Sequence, residues 1–224
     1  MFVLSRQIPT DVVFLRSLTG LALPYNQITG IIPTDLFTLP NITVLDIYAN
    51  QLTGSIPFQA NRATSLEVLR LGANKMAGPI VSELGLLTNL RVFSIAFNTF
   101  NDPIPTELGR WSRLTYLNLA RNPIVGKLPS EIGGWRSLEK MLLLDNLMTG
   151  SLPTEVGFMT SMQDLRIVNV GINGKLPTQF GLLTNLNHLD ITDNKLSGTI
   201  CSEIGNLSNL SKFSRNPPLA ACLE

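Results

Sequence analysis

Hydrophobic residues return along this chain with a period of 24 residues, and no insertion or deletion interrupts the pattern. Two apolar residues stand five and three positions before one fixed position of every copy, as Leu117 and Leu119 do before Asn122. We call this position the asparagine slot. The slot holds Val170 once and otherwise asparagine, namely Asn26, Asn50, Asn74, Asn98, Asn122, Asn146 and Asn194. Self-similarity at a fixed period of this length is typical of a solenoid, in which each copy forms one turn.

Each copy predicts a short strand, a tight turn and a short helical segment. Residues 117–119 alternate apolar and polar side chains, which is the pattern of a half-buried strand. Eight such strands, one per copy, would stack as a parallel sheet with a spacing of about 4.8 Å. We expect the repeated asparagines to be buried and to satisfy their amides through hydrogen bonds to the backbone of the next turn. In the segment 152–155, Thr154 would cap the free amides of the helical segment.

The consensus of the copies is Leu-x-x-Leu-x-Leu-x-x-Asn-x-Leu followed by Gly-x-Ile/Leu-Pro, and residues 114–124 match its first part with Ile124 in the last position. This consensus resembles the leucine-rich repeat, and the added glycine and proline resemble its plant-type subclass, over about residues 8–216. Such repeats occur in receptor-like kinase ectodomains, polygalacturonase-inhibiting proteins, and algal and diatom proteins. The resemblance implies an α/β repeat fold, a right-handed solenoid with a parallel β-sheet on the concave face and short helical turns and loops on the convex face.

The repeat makes the chain one domain, 1–224, because a stacked array has one continuous core. Its predicted parts are a truncated first repeat without an N-terminal cap, the regular repeats and a C-terminal cap, at 1–9, 10–200 and 201–224. The C-terminal cap is predicted because the template decays after Asn194 and the pair Pro217-Pro218 cannot continue a strand ladder. The missing N-terminal cap indicates a fragment of something longer.

Two kinds of residue bear on the compartment in which the protein folds. Cys201 and Cys222 fall in a proline slot and, one repeat later, in a glycine slot, so we expect them to lie close together and to form a disulfide. Two buried thiols are the alternative that the same slots allow. Glycosylation sequons begin at Asn41, Asn206 and Asn209. They favour secretion only weakly, because the repeat's own Asn-Leu-x pattern generates such sequons.

The charge and hydropathy of the chain exclude several classes of partner. The 17 Lys and Arg balance 16 Asp and Glu, whereas nucleic-acid binding needs a clustered basic face. We therefore expect no nucleic-acid partner. The mean hydropathy of +0.22 comes from the periodic core positions, and no apolar run approaches the roughly 18 residues of a membrane span. We expect no span within this chain, although the parent protein could be anchored in a membrane.

Catalytic constellations are not evident in the sequence. The one histidine, His188, falls on the outward side of a predicted strand with Asp164 and Asp190 as expected neighbours, and we interpret it as an ordinary solvated residue. The chain has no second histidine for a metal site, no nucleophile elbow and no glycine loop that would cradle a phosphate. We therefore expect neither enzymatic activity nor a cofactor.

The outward positions of the predicted strands form columns along the concave face, and exposed aromatic residues beside arginine are typical of binding surfaces. We interpret the chain as a non-enzymatic recognition module for a protein, peptide or glycan partner, located outside the cell or at its surface. The alternatives are an ectodomain fragment of a receptor-like kinase and an inhibitor of a secreted hydrolase. The candidate partner-binding residues are Tyr48, Arg70, Phe97, Tyr116, Asn118, Arg121, Lys140, Asp145, Asp164, Arg166, His188 and Asp190.

Two further sets of residues lie away from these columns. Trp111 and Trp135 fill a slot held elsewhere by leucine or methionine, which predicts that both belong to the core. A column of hydroxyl residues also runs along the array, and it consists of Thr34, Ser82, Thr106, Ser130, Thr154, Thr178 and Ser202. Helix capping explains this column without further assumptions, so an ice-binding plane is a remote alternative.

Overall fold

The computed structural model describes residues 7–215, which form a stack of turns. Each turn contributes a three-residue strand to one parallel sheet, whose nine strands in the described part lie in chain order. The last of them, Lys212–Ser214, makes one strand more than the eight predicted and lies in the segment assigned to the C-terminal cap. Numbered along the chain, the strands are β1 (Gly20–Ala22), β2 (Thr29–Gly30), β3 (Val44–Asp46), β4 (Gln51–Leu52), β5 (Val68–Arg70), β6 (Ala77–Gly78), β7 (Val92–Ser94), β8 (Thr99–Phe100), β9 (Tyr116–Asn118), β10 (Lys140–Leu142), β11 (Asp164–Arg166), β12 (Asn173–Gly174), β13 (His188–Asp190), β14 (Lys195–Leu196) and β15 (Lys212–Ser214).

The helical segments on the convex side are 3-10 helices of five residues each. Most follow a proline, such as Pro105 with φ −64°, whose ring holds the backbone dihedral that starts the turn. Segments this short do not reach the length at which an α-helix is stable by itself. In the described residues they are η1 (Thr10–Phe14), η2 (Thr34–Thr38), η3 (Phe58–Arg62), η4 (Ser82–Leu86), η5 (Thr106–Arg110), η6 (Ser130–Gly134), η7 (Thr154–Phe158), η8 (Thr178–Leu182) and η9 (Ser202–Asn206).

The hydroxyl residues that open these helices do not cap them, so the capping role expected from the sequence is wrong. In η5 the N-cap position is Pro105, and no side chain bonds to the free amides there. Thr106 is already the first helical residue, one position too late for its hydroxyl to act as a cap. The Thr106 hydroxyl instead donates to the carboxylate of Glu107, with an Oγ1–Oε2 distance of 3.4 Å. Thr154 and Glu155 repeat the arrangement at 3.2 Å.

The main sheet keeps the 24-residue register throughout. Each strand pairs with the equivalent residues one period away, so that Leu117 lies beside Met141 and Tyr116 beside Lys140. Three small parallel sheets flank the main one where the chain leaves the asparagine slot, and they pair β2 with β4, β6 with β8, and β12 with β14. Residues at equivalent slots are therefore direct neighbours, which places whole columns of side chains in contact.

One continuous hydrophobic core runs through the array between the sheet and the helices. Leu117 and Leu119, the two strand leucines of the central turn, are 1% exposed. Trp111 and Trp135 are likewise buried, which confirms their predicted core position. Their indole nitrogens donate to the carbonyl oxygens of residues one turn earlier, because a buried Trp N–H needs a partner.

From Asn50 onward the repeated asparagines form a ladder of buried and partly buried side chains, whereas Asn26 is exposed. The sequence led us to expect bonds to the next turn, but the ladder asparagines bond to the preceding turn. The amide nitrogen of Asn122 donates to the carbonyl oxygen of Ile95, and its side-chain oxygen accepts from the backbone amide of Phe100, both at 3.1 Å. The same amide nitrogen also donates within its own turn, to Leu119 and Ala120. Each ladder asparagine thus fastens two turns together.

Val170 breaks this ladder, because its side chain can neither donate nor accept a hydrogen bond. Beside it, the side-chain oxygen of Asn194 accepts from the amides of Val170, Gly171 and Ile172, each at 3.2 Å. Gly171 has φ +91°, and a Cβ there would lie 2.6 Å from the carbonyl oxygen of Met148. The backbone therefore approaches the preceding turn more closely at this slot than a side chain at position 171 would permit.

The residue directly before each asparagine slot adopts the left-handed backbone conformation, although none of these residues is glycine. The ladder contacts impose this bend, which costs roughly 1 kcal/mol or more for a residue with a Cβ. We call the column formed by these residues the rim of the concave face. The residues with φ between 50° and 57° are Tyr25, Ala49, Ala73, Phe97, Arg121, Asp145, Asn169 and Asp193.

Candidate functional site

The outer surface of the main sheet presents the side chains on which the binding hypothesis depends. In β9, for example, the central Leu117 is buried while Tyr116 and Asn118 are partly exposed. The strands carry Arg70, Tyr116, Asn118, Lys140, Asp164, Arg166, His188 and Asp190. The bends that follow the strands carry Tyr48, Phe97, Arg121 and Asp145. All the candidate residues therefore belong to one surface, which we call the concave face.

The N-terminal part of this face is mostly apolar. Val44, Val68 and Val92 pair in register along neighbouring strands and form a half-buried stripe. Tyr48 meets Tyr25 edge to face, with 5.4 Å between ring centroids. Tyr25 is 79% exposed. Our candidate set omitted Tyr25, and the signal that could have included it is its slot, which is the same as that of Phe97 and Arg121.

A chain of contacts runs down the rim across four consecutive turns. The guanidinium of Arg121 lies 5.0 Å from the centroid of the Phe97 ring, within the range of a cation–π contact. Arg121 also pairs with Asp145 (3.3 Å), and Asp145 accepts a hydrogen bond from Asn169 (2.9 Å). A shallow groove of about 360 Å³ lies beside these residues, with the exposed Leu147 in its wall. The rim thus holds Arg121 in one orientation while leaving its side chain accessible.

The densest charge cluster of the face surrounds Asp164. Arg166 donates to both carboxylate oxygens, Nε at 2.9 Å and Nη2 at 3.1 Å, and the ammonium of Lys140 lies 2.9 Å from Oδ2. Burial by itself raises the pKa of Asp164, but the hydrogen bonds and charges of Lys140 and Arg166 outweigh it, so this pKa lies below its ordinary value of 3.8. Asp164 is therefore held as a carboxylate that organises its cationic neighbours.

His188 is not the ordinary solvated residue that the sequence suggested. Its Nδ1 lies 3.3 Å from the Asp164 carboxylate, and its side chain is only 17% exposed. Register explains the contact, because His188 is the direct partner of Asp164 on the next strand. Asp190, the other expected neighbour, accepts hydrogen bonds from the amide and hydroxyl of Thr192. The imidazole therefore belongs to the Asp164 cluster.

Two of the candidate residues also have a structural task. The side-chain oxygen of Asn118 accepts from the amide of Ala120 at 3.1 Å, and Asp190 accepts from the amide of Thr192 at the same distance. Asp46 does the same for Tyr48. These side chains hold the backbone as it leaves the strand, so their polarity has a purpose that does not require a ligand.

A cavity lies away from the concave face, at the N-terminal end of the described residues. It has about 550 Å³ and is lined mainly by apolar residues of the first turn. Leu15 is 54% exposed there, whereas the equivalent Leu87 is fully buried. In the described part no earlier turn packs on this layer. Within residues 7–215 the cavity is therefore a core layer of the stacked array that no other turn covers, and its lining there is mainly apolar.

The predicted modification sites are only partly covered by the structure. Asn41, Asn206 and Asn209 are all exposed. Asn41 and Asn209 donate to carbonyl oxygens of the preceding turn, at 3.1 Å and 2.8 Å. Cys201 is partly buried, and that burial raises the pKa of its thiol. Cys222 lies outside the described residues, so the disulfide remains a prediction.

Residues 7–215 contain no group of three or more His, Cys, Asp or Glu side chains that could hold a metal ion. Over the same range, no helix has the length and apolar character needed to cross a membrane.

The stacked strands, the common register and the asparagine ladder define the chain as a solenoid repeat protein. The sequence model described as Leucine Rich Repeat matches residues 113–135 and 185–207. The chain has the leucine-rich repeat solenoid fold, and its repeats are similar to those of plant receptor kinase ectodomains. A comparison with curated protein sequences gives no match.

Solved structures of plant proteins share the fold. One is the LRR ectodomain of the membrane receptor kinase GASSHO1/SCHENGEN3 from Arabidopsis thaliana, solved in complex with CASPARIAN STRIP INTEGRITY FACTOR 2. It is 34% identical to this chain with a TM-score of 0.90, and the match covers 93% of this chain and 26% of that one. The Arabidopsis receptor kinase HAESA, in complex with the peptide hormone IDA and the co-receptor SERK1, is 30% identical with a TM-score of 0.85, over 93% and 36%. A plant ice-binding protein is 24% identical with a TM-score of 0.80, over 97% and 69%, and at this identity the likeness shows the fold alone.

The chain thus spans only 26% and 36% of the length of the two receptor structures.

Proposed function

We propose that the chain is a non-enzymatic recognition module that binds a peptide or protein partner on its concave face. The observation that carries the proposal is the continuity of this face, in which an apolar stripe with exposed aromatic rings passes into ordered charged side chains. Aromatic and arginine side chains held in fixed orientations lose little conformational entropy on binding, which is why they dominate binding energies at interfaces.

The relatives support a peptide in particular. The receptor kinases at 34% and 30% identity were solved with CASPARIAN STRIP INTEGRITY FACTOR 2 and with the peptide hormone IDA. We therefore favour an extended peptide over a glycan, and a location outside the cell or at its surface. The finer proposal is that the chain is part of a receptor-like kinase ectodomain. An inhibitor of a secreted hydrolase would use the same face, and a direct inhibition assay separates the two roles.

The proposal is tested by selecting binders from a random peptide library and mapping them on the face. We expect Tyr116→Ala and Arg121→Ala each to weaken the selected peptides by about tenfold or more, which corresponds to about 1.4 kcal/mol. Arg110→Ala is the matched control, because Arg110 is exposed in η5 on the convex side. Circular dichroism must show unchanged folding of all variants. Peptides that tolerate both face variants but lose affinity on Arg110→Ala would place binding elsewhere.

Ice binding is the remote alternative, and the structure offers little for it. The hydroxyl column is interrupted by Phe58, which is 58% exposed. Several of its hydroxyls already donate to a neighbouring glutamate, as Thr106 does to Glu107. We expect no thermal hysteresis at high protein concentration, and measurable hysteresis would revive this alternative.

A further inference from the structure

Three nitrogen-bearing side chains from three neighbouring strands converge on one carboxylate in the C-terminal half of the concave face. Lys140 of β10, Arg166 of β11 and His188 of β13 all lie within 3.3 Å of the Asp164 carboxylate oxygens. The carboxylate is 15% exposed, so it sits below its partners, while Lys140 and Arg166 are 38% and 36% exposed. Lys140 and Arg166 therefore form the accessible layer of the cluster, while Asp164 and His188, at 15% and 17% exposed, form its floor.

Lys140 and Arg166 together carry more N–H groups than the Asp164 carboxylate can accept. A guanidinium carries five N–H groups and an ammonium three, whereas a carboxylate has about four acceptor positions. The pairing of Arg166 uses its Nε and Nη2 atoms. Its other terminal nitrogen and the remaining ammonium hydrogens of Lys140 keep donor capacity towards solvent.

The surrounding charges leave the cluster positive. By strand register, Tyr116 flanks Lys140, Asp190 flanks Arg166, and Lys212 flanks His188. Asp190 already accepts two hydrogen bonds from Thr192. With Lys212 included, three cations and an imidazole face two carboxylates, so one further acidic group would balance the cluster.

We propose that Lys140, Arg166 and His188, which converge on Asp164, form a subsite for an acidic side chain of a bound peptide. The cluster lies along the array and not at its end, since β9 flanks it on one side and β15 on the other. A peptide chain can therefore continue past it in both directions, which suits a side-chain carboxylate. This inference rests on the proposed function and names the chemistry of one part of the ligand.

The single histidine of the chain makes the subsite directly observable, because His188 gives the only imidazole signals in an NMR spectrum. The probe is N-acetyl-aspartate N-methylamide, and its neutral control is the asparagine analogue at equal ionic strength. We expect the acidic probe to shift the His188 signals saturably, with half-saturation on the order of tens of millimolar, as befits one exposed ion pair. The neutral analogue should leave them unchanged.

Substitutions identify the donors. We expect Lys140→Gln and Arg166→Gln each to weaken the probe by at least about threefold, while Arg110→Gln on the convex side leaves its affinity unchanged. Asp164→Asn removes the competing carboxylate and should strengthen probe binding by at least about threefold, a gain that misfolding cannot imitate. Equal shifts with both probes, or unchanged affinity in Lys140→Gln and Arg166→Gln, would overturn the subsite.

These outcomes are separable from failure of the proposed function. If no library peptide is sensitive to Tyr116→Ala or Arg121→Ala, the concave face is not the recognition surface, whatever the NMR titration gives. If library peptides do depend on these residues but the acidic probe produces no saturable shift, the face binds peptides and the acidic subsite is rejected.

Discussion

Asn122 and Ile95 belong to neighbouring turns, and the side-chain amide of Asn122 donates to the carbonyl oxygen of Ile95 over 3.1 Å. Asn122 is 4% exposed, and its side-chain oxygen also receives the amide of Phe100. We expect Asn122→Ala to lower the free energy of unfolding by about 3 kcal/mol, because a buried donor and a buried acceptor lose their partners at about 1–3 kcal/mol each. Urea denaturation measures the change.

Asn26 is the matched control for the asparagine ladder. It is exposed, and within residues 7–215 its side-chain amide donates only inside its own turn, to Leu23 and Pro24. We expect Asn26→Ala to cost less than about 1 kcal/mol, since water replaces the lost partners. Equal losses for the two alanine variants would mean that burial of the ladder does not determine its contribution.

Gly109 lies where the convex turns touch. A Cβ at this position would stand 2.6 Å from the carbonyl oxygen of Glu131 and 2.7 Å from the Glu131 Cβ. Because both contacts involve the next turn's rigid segment, Gly109→Ala should destabilise the array by about 1–3 kcal/mol. Thermal unfolding measures the loss.

Gly205 occupies the same slot four periods later, and a methyl group added there would have no heavy atom of residues 7–215 within 4 Å. We expect Gly205→Ala to be neutral or to stabilise by up to about 1 kcal/mol, because it reduces the freedom of the unfolded chain. A loss as large as that of Gly109→Ala would show that turn packing is not the cause.

Trp135 donates from its indole nitrogen to the carbonyl oxygen of Leu108 over 2.7 Å, in a fully buried position. Trp135→Phe keeps most of the buried ring area and loses the hydrogen bond, so we expect a cost of about 1–3 kcal/mol. Trp135→Ala also opens a cavity and should cost about 3–5 kcal/mol. Urea denaturation of both variants tests the order, and a phenylalanine variant as damaged as the alanine variant would contradict it.

The lowered pKa of Asp164 predicts a pH dependence of stability. A carboxyl group whose folded-state pKa is depressed stabilises the fold above its unfolded value, here 3.8, and loses that contribution as the pH falls below it. We expect Asp164→Asn to be less stable than the wild type near neutral pH, at about pH 7, and the difference to shrink as the pH falls below the ordinary value. Denaturant unfolding at several pH values gives the two curves.

Asp102→Asn, an exposed substitution outside the cluster, is the control for that experiment. Its stability curve should run parallel to that of the wild type. A gap between Asp164→Asn and the wild type that persists unchanged in strong acid would assign the effect to packing and not to the charge of Asp164.

Much of the fold follows from the spacing of a few residue types. Leu117 and Leu119 predict a strand, their recurrence predicts the stack, and the slot of Trp135 predicts its burial. The last strand was missed because Phe213 and its neighbours depart from the template, while pairing with β13 holds Lys212–Ser214 in the sheet. A neighbouring strand can impose a conformation that the local sequence indicates poorly.

The binding face was predictable as a set of columns and not as a set of contacts. Register alone placed His188 near Asp164, but the sequence does not show that Lys140, Arg166 and His188 all lie within 3.3 Å of one carboxylate. The contact of Thr106 could not be predicted from the sequence either. A capping role requires the helix to start at residue 107, but it starts at Thr106, and the hydroxyl therefore donates to Glu107.

The unbroken 24-residue period, by itself, predicts a solenoid of stacked turns, and the residues at its fixed slots resemble the leucine-rich repeat. Tertiary structure decided the direction of the asparagine bonds, the contacts that Asn194 makes beside Val170 and the grouping of charges around Asp164. Periodicity fixes which residues are neighbours. Hydrogen bonds and ion pairs depend on how far each side chain reaches across the strand spacing, and that distance exists only once the turns have stacked.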